Sequence, residues 1–322
     1  MKIKMPAISL ALLFVLLLPG VPAGADKKPL RIAYLQSDIH HLPCWVALEK
    51  GFYAREGLEV EVAGVFKAGP ELMSAFAAGA LDAGYVGEAP ATTAVANKAA
   101  RVVVLAQVNT EGSALVVGKD GPLKTVADLA GKSVAIPGHA TVQDFLLKKA
   151  LKLHKLESGA VRTIVIKPPE MIGALRTGQV DGFIAWEPYP AKAGTLETGR
   201  VLASSRDIWK DHPCCVLAVD GKFLAAQPDQ ARRLVRAHVK ATDFIHQNRE
   251  EALKVGVKYT GMDEKTVNLA MQNVHYTYQL SVAGEMEYVD FLSQMKYIKV
   301  ESPQAFIREF LNLEILPEIL KK

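Results

Sequence analysis

Long apolar runs are almost absent from this sequence of 322 residues. The one that stands out, Ile8 to Leu18, is about eleven residues, well short of the ~20 that a membrane-crossing helix needs. That argues against a polytopic helical membrane protein. Cysteine is equally scarce, with Cys44, Cys214 and Cys215 the whole complement. Three thiols cannot staple a disulfide scaffold, and their spacing is not that of a zinc ribbon. An odd count leaves a thiol over, or allows a distant pairing of Cys44 with one of the others, and spacing does not decide between them. Charge of one sign is missing too. Lys and Arg number 38 against 34 Asp and Glu, and no basic stripe stands out, so nucleic acid is not an expected partner. The catalytic signatures are also wanting: there is no P-loop, no H-E-x-x-H helix and no Ser/His/Asp spacing.

What is there begins with Lys2 and Lys4, the short apolar run, and Ala23-Gly24-Ala25. That is the order of a secretory signal with a small-residue cleavage site, so residues 1–25 are read as removed near Ala25. No Cys follows the run closely, so no lipid anchor is expected. The mature balance falls to 36 bases against 34 acids once Lys2 and Lys4 are gone. Roughly 297 residues remain, enough for two domains with cores of their own. The expected compartment is the periplasm.

One stretch occurs twice. Pro70 to Pro90 (PELMSAFAAGALDAGYVGEAP) aligns without gaps on Pro169 to Tyr189 (PEMIGALRTGQVDGFIAWEPY). The two share Pro70/Pro169, Glu71/Glu170, Ala75/Ala174, Gly79/Gly178, Asp82/Asp181 and Glu88/Glu187. Each copy starts with Pro at a first helical position, carries an apolar stripe, and stops at a Gly suited to a left-handed helix end. A short buried strand is expected next, Ala83 to Val86 and Gly182 to Ala185, delivering a turn with Glu88 or Glu187. Loops past the carboxyl ends of parallel strands are where open α/β sheets bind ligands, so two such turns point to one cleft between two lobes. Both acids could equally be solvated turn residues.

The remaining pattern repeats this plan. Leu30 to Leu35, Leu58 to Val65 and Val102 to Val108 read as strands, with a helix from Pro43 between the first two. Asn109 to Ser113 is a polar break of the kind that joins lobes. Lys132 to Ile136 and Val161 to Ile166 are the strands of the second half, and Thr141 with Asp144 makes a capping-box pattern for a helix reaching about His154. Backbone N–H groups at Gly138, His139, Ala140 and Thr141 would favour oxyanion oxygens. Cys214 to Val219 could return the chain to lobe one. Asp229 to Gln247, Arg249 to Tyr259, Glu264 to Gln272, Glu285 to Tyr297 and Pro303 to Leu313 read as helices of a tail that packs on lobe one. The fold class is α/β: two lobes, each a doubly wound and mostly parallel sheet. Lobe I takes 26–112 and 216–322, and lobe II takes 113–215.

With Trp45 to Tyr53 (WVALEKGFY), Glu56 to Val60, Ala78 to Gly84, Asp128 to Lys132 and Trp186-Glu187-Pro188-Tyr189 in view, the chain resembles the type II periplasmic solute-binding proteins of ABC importers. The branch is the one serving nitrate, sulfonates, taurine, bicarbonate and thiamine precursors. The likeness runs from about 30 to 220, and its motifs mark the family, not a ligand. It implies a two-lobed clamp with crossovers near 109 to 114 and 214 to 218. It also implies a monomer that hands a small solute to a permease and ATPase complex in the inner membrane, with no cofactor. Carried over, the pocket would be lined by the loop Gln36 to His41, with Gln36, His40 and His41 foremost, by Gly87, Glu88 and Ala89, by Gly138, His139, Ala140 and Thr141, and by Trp186 and Glu187. His40 and His41 stand where many relatives have small or plain polar residues.

Two further readings come from the residues. His40, His41, Cys44, His139, His212, Cys214 and Cys215 fall on segments brought toward the cleft or hinge, and thiolate with imidazole would suit a metal. The same histidines could bond an anion or backbone, with the cysteines as small buried apolar residues. Glu88 and Glu187 make a purely anionic ligand costly unless each has a partner, which favours a zwitterion or an amine-bearing heterocycle as the alternative. The fold also resembles the thiamine-pyrimidine synthases, but only Cys214-Cys215 stands where their longer cysteine run would be, and an exported chain does not suit that cytosolic chemistry. A non-enzyme is expected.

Overall fold

The computed structural model describes Met1 and residues 28–321. The expected signal segment lies outside the described residues. Short runs of small and β-branched residues form β1 (Leu30–Leu35), β2 (Val60–Phe66), β3 (Ala83–Gly87), β4 (Val102–Glu111) and β5 (Ser113–Gly118). They continue as β6 (Ser133–Ile136), β7 (Arg162–Val165), β8 (Gly182–Trp186), β9 (Gly199–Ser204), β10 (Pro213–Asp220) and β11 (Val274–Tyr276). Residues of β3 and β8 are buried along their whole length, as strands covered on both faces by helices must be.

These strands make two sheets, β11-β4-β10-β3-β1-β2 and β7-β6-β8-β5-β9. The duplication read in the sequence is a duplication of topology. β2, β1 and β3 pair in parallel, as do β7, β6 and β8, while the next strand, β10 or β5, runs antiparallel to its neighbours. Four of the five corresponding strands in each sheet therefore share a direction, and the fifth is supplied by the chain arriving from the other sheet. The crossings are short: Gly112 separates β4 from β5, and residues 205–212 separate β9 from β10.

Both repeat helices, Gly69–Ala77 and Pro168–Arg176, carry Pro in the first turn and end before a positive-φ Gly, Gly79 or Gly178. The Pro228–Gln247 helix packs on the Leu42–Glu49 helix of the first lobe. Trp45, fully buried there, stacks on Tyr259 with ring centroids 5.2 Å apart. The tail also reaches the second lobe, where Phe145 meets Tyr288 and Phe291 at 4.7 and 4.5 Å. Nearby, Lys149 pairs with Glu287 and Lys148 bonds the Tyr297 hydroxyl. No helix among the described residues is long and apolar enough to cross a membrane.

Candidate functional site

A slot lies where the carboxyl ends of β1, β3 and β8 face the start of the Val142–Leu153 helix. Its polar lining comes from Asp38 and Gly87 on one lobe, Thr141, Gln143 and Trp186 on the other, and Cys214 and Cys215 at the hinge. Leu35, Pro90 and Val142 supply apolar wall. The lobes are shut upon it, leaving about 10 Å³, close to the space one water occupies.

The second-lobe wall is built by the helix start. Thr141 takes extended backbone angles and its hydroxyl accepts the Asp144 N–H at 3.2 Å while donating to the Gly138 carbonyl at 2.8 Å. Asp144 returns the bond one residue early, to the Ala140 N–H at 2.9 Å. The first N–H groups, of Val142 and Gln143, have no acceptor within the helix, and both residues line the slot. Gln143 is held by its amide, which donates to the Ser113 hydroxyl at 3.0 Å. Trp186, at the end of β8, is buried, and its indole N–H has no acceptor in the protein.

Of the residues expected at the pocket, Gly87, Thr141 and Trp186 line the slot. Gln36 is exposed and Gly138 half-buried. His139 is exposed and, with Ala140, borders a separate surface groove of about 270 Å³ beside Pro70 and Asn97. Ala89 is buried in the Glu88–Ala96 helix. Glu88 and Glu187, expected to face each other across the cleft, do not line it. Glu88 opens its helix and is fully buried, its Oε2 accepting from the Gln107 amide at 3.1 Å. Glu187 accepts the Ala191 N–H at 3.0 Å and the Asn273 amide at 2.7 Å. Glu187 is satisfied by its own lobe and the tail, while Glu88 keeps Oε1 buried without a hydrogen bond, so matching places in the repeat have different surroundings.

Burial sets the electrostatics of these acids. It lifts the Glu88 carboxyl to about 7, and it holds the neighbouring Glu285 carboxyl well above the usual range, with the Glu88 charge adding to the effect. Thr92 donates its hydroxyl to Glu285 at 2.8 Å. Asp38 is likewise lifted by burial to about 7, although His40 pulls it down.

Behind the slot lies a polar cluster. His40 and His41 are fully buried. His40 Nε2 bonds the Gly112 carbonyl at 2.8 Å, leaving Nδ1 3.5 Å from Cys214 Sγ, 3.6 Å from Cys215 Sγ and 3.4 Å from Asp38 Oδ1. Adjacent strand residues normally point to opposite faces. Here the β10–β4 register slips on either side of Cys215, and this bulge lets both sulfurs reach one imidazole. His41 Nδ1 accepts the Leu35 N–H at 3.0 Å, which turns its other nitrogen toward Asp38 at 3.8 Å. Burial works against a charge on His40, but Asp38 and Cys214 outweigh it and raise it to about 9. Burial also opposes the Cys214 thiolate, and the bonds from Cys215 and His40 reverse this and push that thiol well down. Of the other candidates, His212 is buried beside Cys214 and bonds the Pro213 carbonyl, whereas His139 lies apart. Cys44 is a free thiol in the first-lobe core beside Tyr53, so the pairing with Cys214 or Cys215 is not formed. Asp38 falls within the Gln36 to His41 loop expected at the pocket, without being marked apart from its louder histidines, and Gln143 lies outside the expected lining because it reads as an ordinary polar helix position.

With this geometry in place, comparison with known proteins identifies the family. Residues 23–257 match the NMT1-like family. The chain belongs to that family. A binding protein of Brucella abortus is 30% identical over 271 residues, 83% of this chain and 81% of that protein. An aliphatic-sulfonates-binding protein of Escherichia coli is 31% identical over 212 residues, 62% of this chain and 63% of the other. The solved alkanesulfonate-binding protein of Xanthomonas axonopodis pv. citri, bound to MOPS, superposes with a TM-score of 0.78 at 20% identity, covering 88% of this chain and 98% of that one. The two-lobed fold of this NMT1-like chain is thus that of the periplasmic binding proteins, and its named relatives are binding proteins, not enzymes.

Proposed function

We propose that this NMT1-like protein is the solute-binding component of an ABC-type importer and not an enzyme. It is exported to the periplasm with cleavage near Ala25, captures a small polar or anionic solute between lobes I (26–112 and 216–322) and II (113–215), and delivers it as a monomer to the permease and ATPase complex. The observation that carries this reading is the convergence of unspent donors from one lobe on a carboxylate of the other. Trp186 N–H and the helix start at Val142 and Gln143 suit oxyanion oxygens. Asp38 suits an amine. No Lys or Arg lines the slot among the described residues, so a bare anion would be held by neutral donors alone. A zwitterion such as an amino-sulfonate answers both ends, and the sulfonate-binding relatives agree with its sulfonate half.

Calorimetry with taurine, an alkanesulfonate, nitrate and an aminopyrimidine tests this. Taurine is expected to bind best. Trp186→Phe and Asp38→Asn should each weaken it by about 1–3 kcal/mol, the cost of an unmet polar partner. Undiminished affinity in both variants would place the solute elsewhere.

A further inference from the structure

Two thiols and the His40 imidazole beside the slot have no part in the solute reading. All three side chains are buried, with Asp38, His41 and His212 around them and no Lys or Arg reaching them among the described hydrogen bonds and ion pairs. Their spacing is what a bound ion would need. A tetrahedral ion bonded at ~2.3 Å to sulfur and ~2.0 Å to nitrogen sets sulfur and nitrogen about 3.5–3.6 Å apart. The measured separations from His40 Nδ1 are 3.5 Å to Cys214 Sγ and 3.6 Å to Cys215 Sγ. Sulfur and nitrogen atoms of His40, Cys214 and Cys215 all lie within 4.8 Å of one another.

The surroundings support the same reading. Metal-binding imidazoles commonly give their second N–H to a backbone carbonyl, which fixes the tautomer and aims the lone pair. His40 does so through Nε2 to Gly112. His41 has spent Nδ1 on the Leu35 N–H, and its other nitrogen lies 3.8 Å from Asp38 without a hydrogen bond, in a second buried grouping with Asp38 and Cys215. The bulge in β10 is what makes two adjacent cysteines usable together.

We propose that His40, Cys214 and Cys215 form a three-ligand site for a thiophilic cation, Zn²⁺ above all, at the hinge beside the solute slot, with the fourth position of the tetrahedron left to water. Binding a divalent ion forms two metal–sulfur bonds and one metal–nitrogen bond and releases to solvent whatever protons Cys214, Cys215 and His40 Nδ1 hold beforehand, so uptake strengthens as pH rises. The site stands apart from the solute reading, because it is tested with no solute present.

The test uses the full mature chain, stripped of metal, reduced without oxygen and shown to hold three free thiols. Titration with Co²⁺ should give the intense near-ultraviolet band of thiolate bound to cobalt and the visible bands of a tetrahedral ion, saturating at one ion per chain and displaced by Zn²⁺. Cys214→Ser and Cys215→Ser should each lower affinity at least 100-fold in competition with a chelator, and His40→Gln at least 10-fold. Cys44→Ser should leave the spectrum unchanged. Circular dichroism of each variant shows whether it has folded. Should Cys215→Ser not fold, the wild-type cobalt spectrum decides alone. A reduced, folded wild-type chain with no thiolate–cobalt band overturns the proposal and leaves a hydrogen-bonded thiol cluster. So does uptake that survives both cysteine substitutions.

Discussion

Glu285 sets a pH dependence that the surface charges do not. Its carboxyl and that of Glu88 both hold protons more tightly in the folded chain than in the unfolded one, because burial disfavours the charge on each and the Glu88 charge opposes a second one on Glu285. Their contribution is complete below the unfolded value of ~4.3 and is lost as pH climbs through about 7, the folded value for Glu88. Wild-type stability should therefore fall between pH 5 and 7.5. Glu285→Gln, which keeps a polar group near Thr92 and cannot ionise, should fall less, by about 1–3 kcal/mol across that window in urea titrations. Parallel curves for the two proteins would show that the pair does not repel. Gly112 is the other residue on which much depends. Its φ is +83°, and a Cβ there would overlap His40 Nε2 and Val274 Cγ2. Gly112→Ala should cost at least ~2 kcal/mol in the same titration, since both the backbone and the packing oppose it.

At the scale of elements, the Val142–Leu153 helix carries the clearest prediction. Thr141→Ala removes its cap and should cost about 0.5–2 kcal/mol of stability, and Thr141→Ser should restore most of it. Equal midpoints for all three proteins in denaturant would mean that the Thr141 cap contributes nothing. That cap was legible because Thr and Asp three apart before an apolar run have one common use. The strands β1, β3, β6 and β8 were legible for the same kind of reason, being short apolar runs between turn residues. β9 and β11 were not. Gly199–Ser204 mixes Arg and Ser into an edge strand, and Val274–Tyr276 is three residues whose pairing with β4 depends on the tail returning. The slot itself was half legible. Repetition marked Glu88 and Glu187, but repetition reports what a fold needs twice, and here that is a buried acid at the start of a helix or turn. Asp38 took its place at the slot from a loop with no repeat. The two cysteines meet His40 only through a register slip, which a rule of strict alternation cannot foresee.

For the whole molecule, closure is held by contacts that the two repeats make with each other. Glu71 and Glu170 occupy matching places in their helices, and each is paired across the mouth of the cleft: Glu71 with Lys167 at 2.6 Å, Glu170 with Lys67 at 3.8 Å. On other sides Lys192 meets Asp263 at 2.8 Å and the tail grips Lys149 through Glu287. None of these side chains is buried, so each pair contributes little, roughly 0.2–1 kcal/mol, and salt weakens it. Weak clasps suit a clamp that must open. A solute shifts the balance only by binding the shut form better than the open one, and the mouth pairs set how much shifting is needed. Glu71→Gln with Glu170→Gln should thus favour the open form by about 1 kcal/mol, near fivefold in population. Small-angle scattering without solute should then show a larger radius of gyration than wild type, and raising salt should expand wild type toward the variant. Slot residues are untouched, so a saturating solute should bring both proteins back to one radius. A variant that stays as compact as wild type at every salt concentration would assign closure to the apolar contacts of Phe145 with Tyr288 and Phe291 instead.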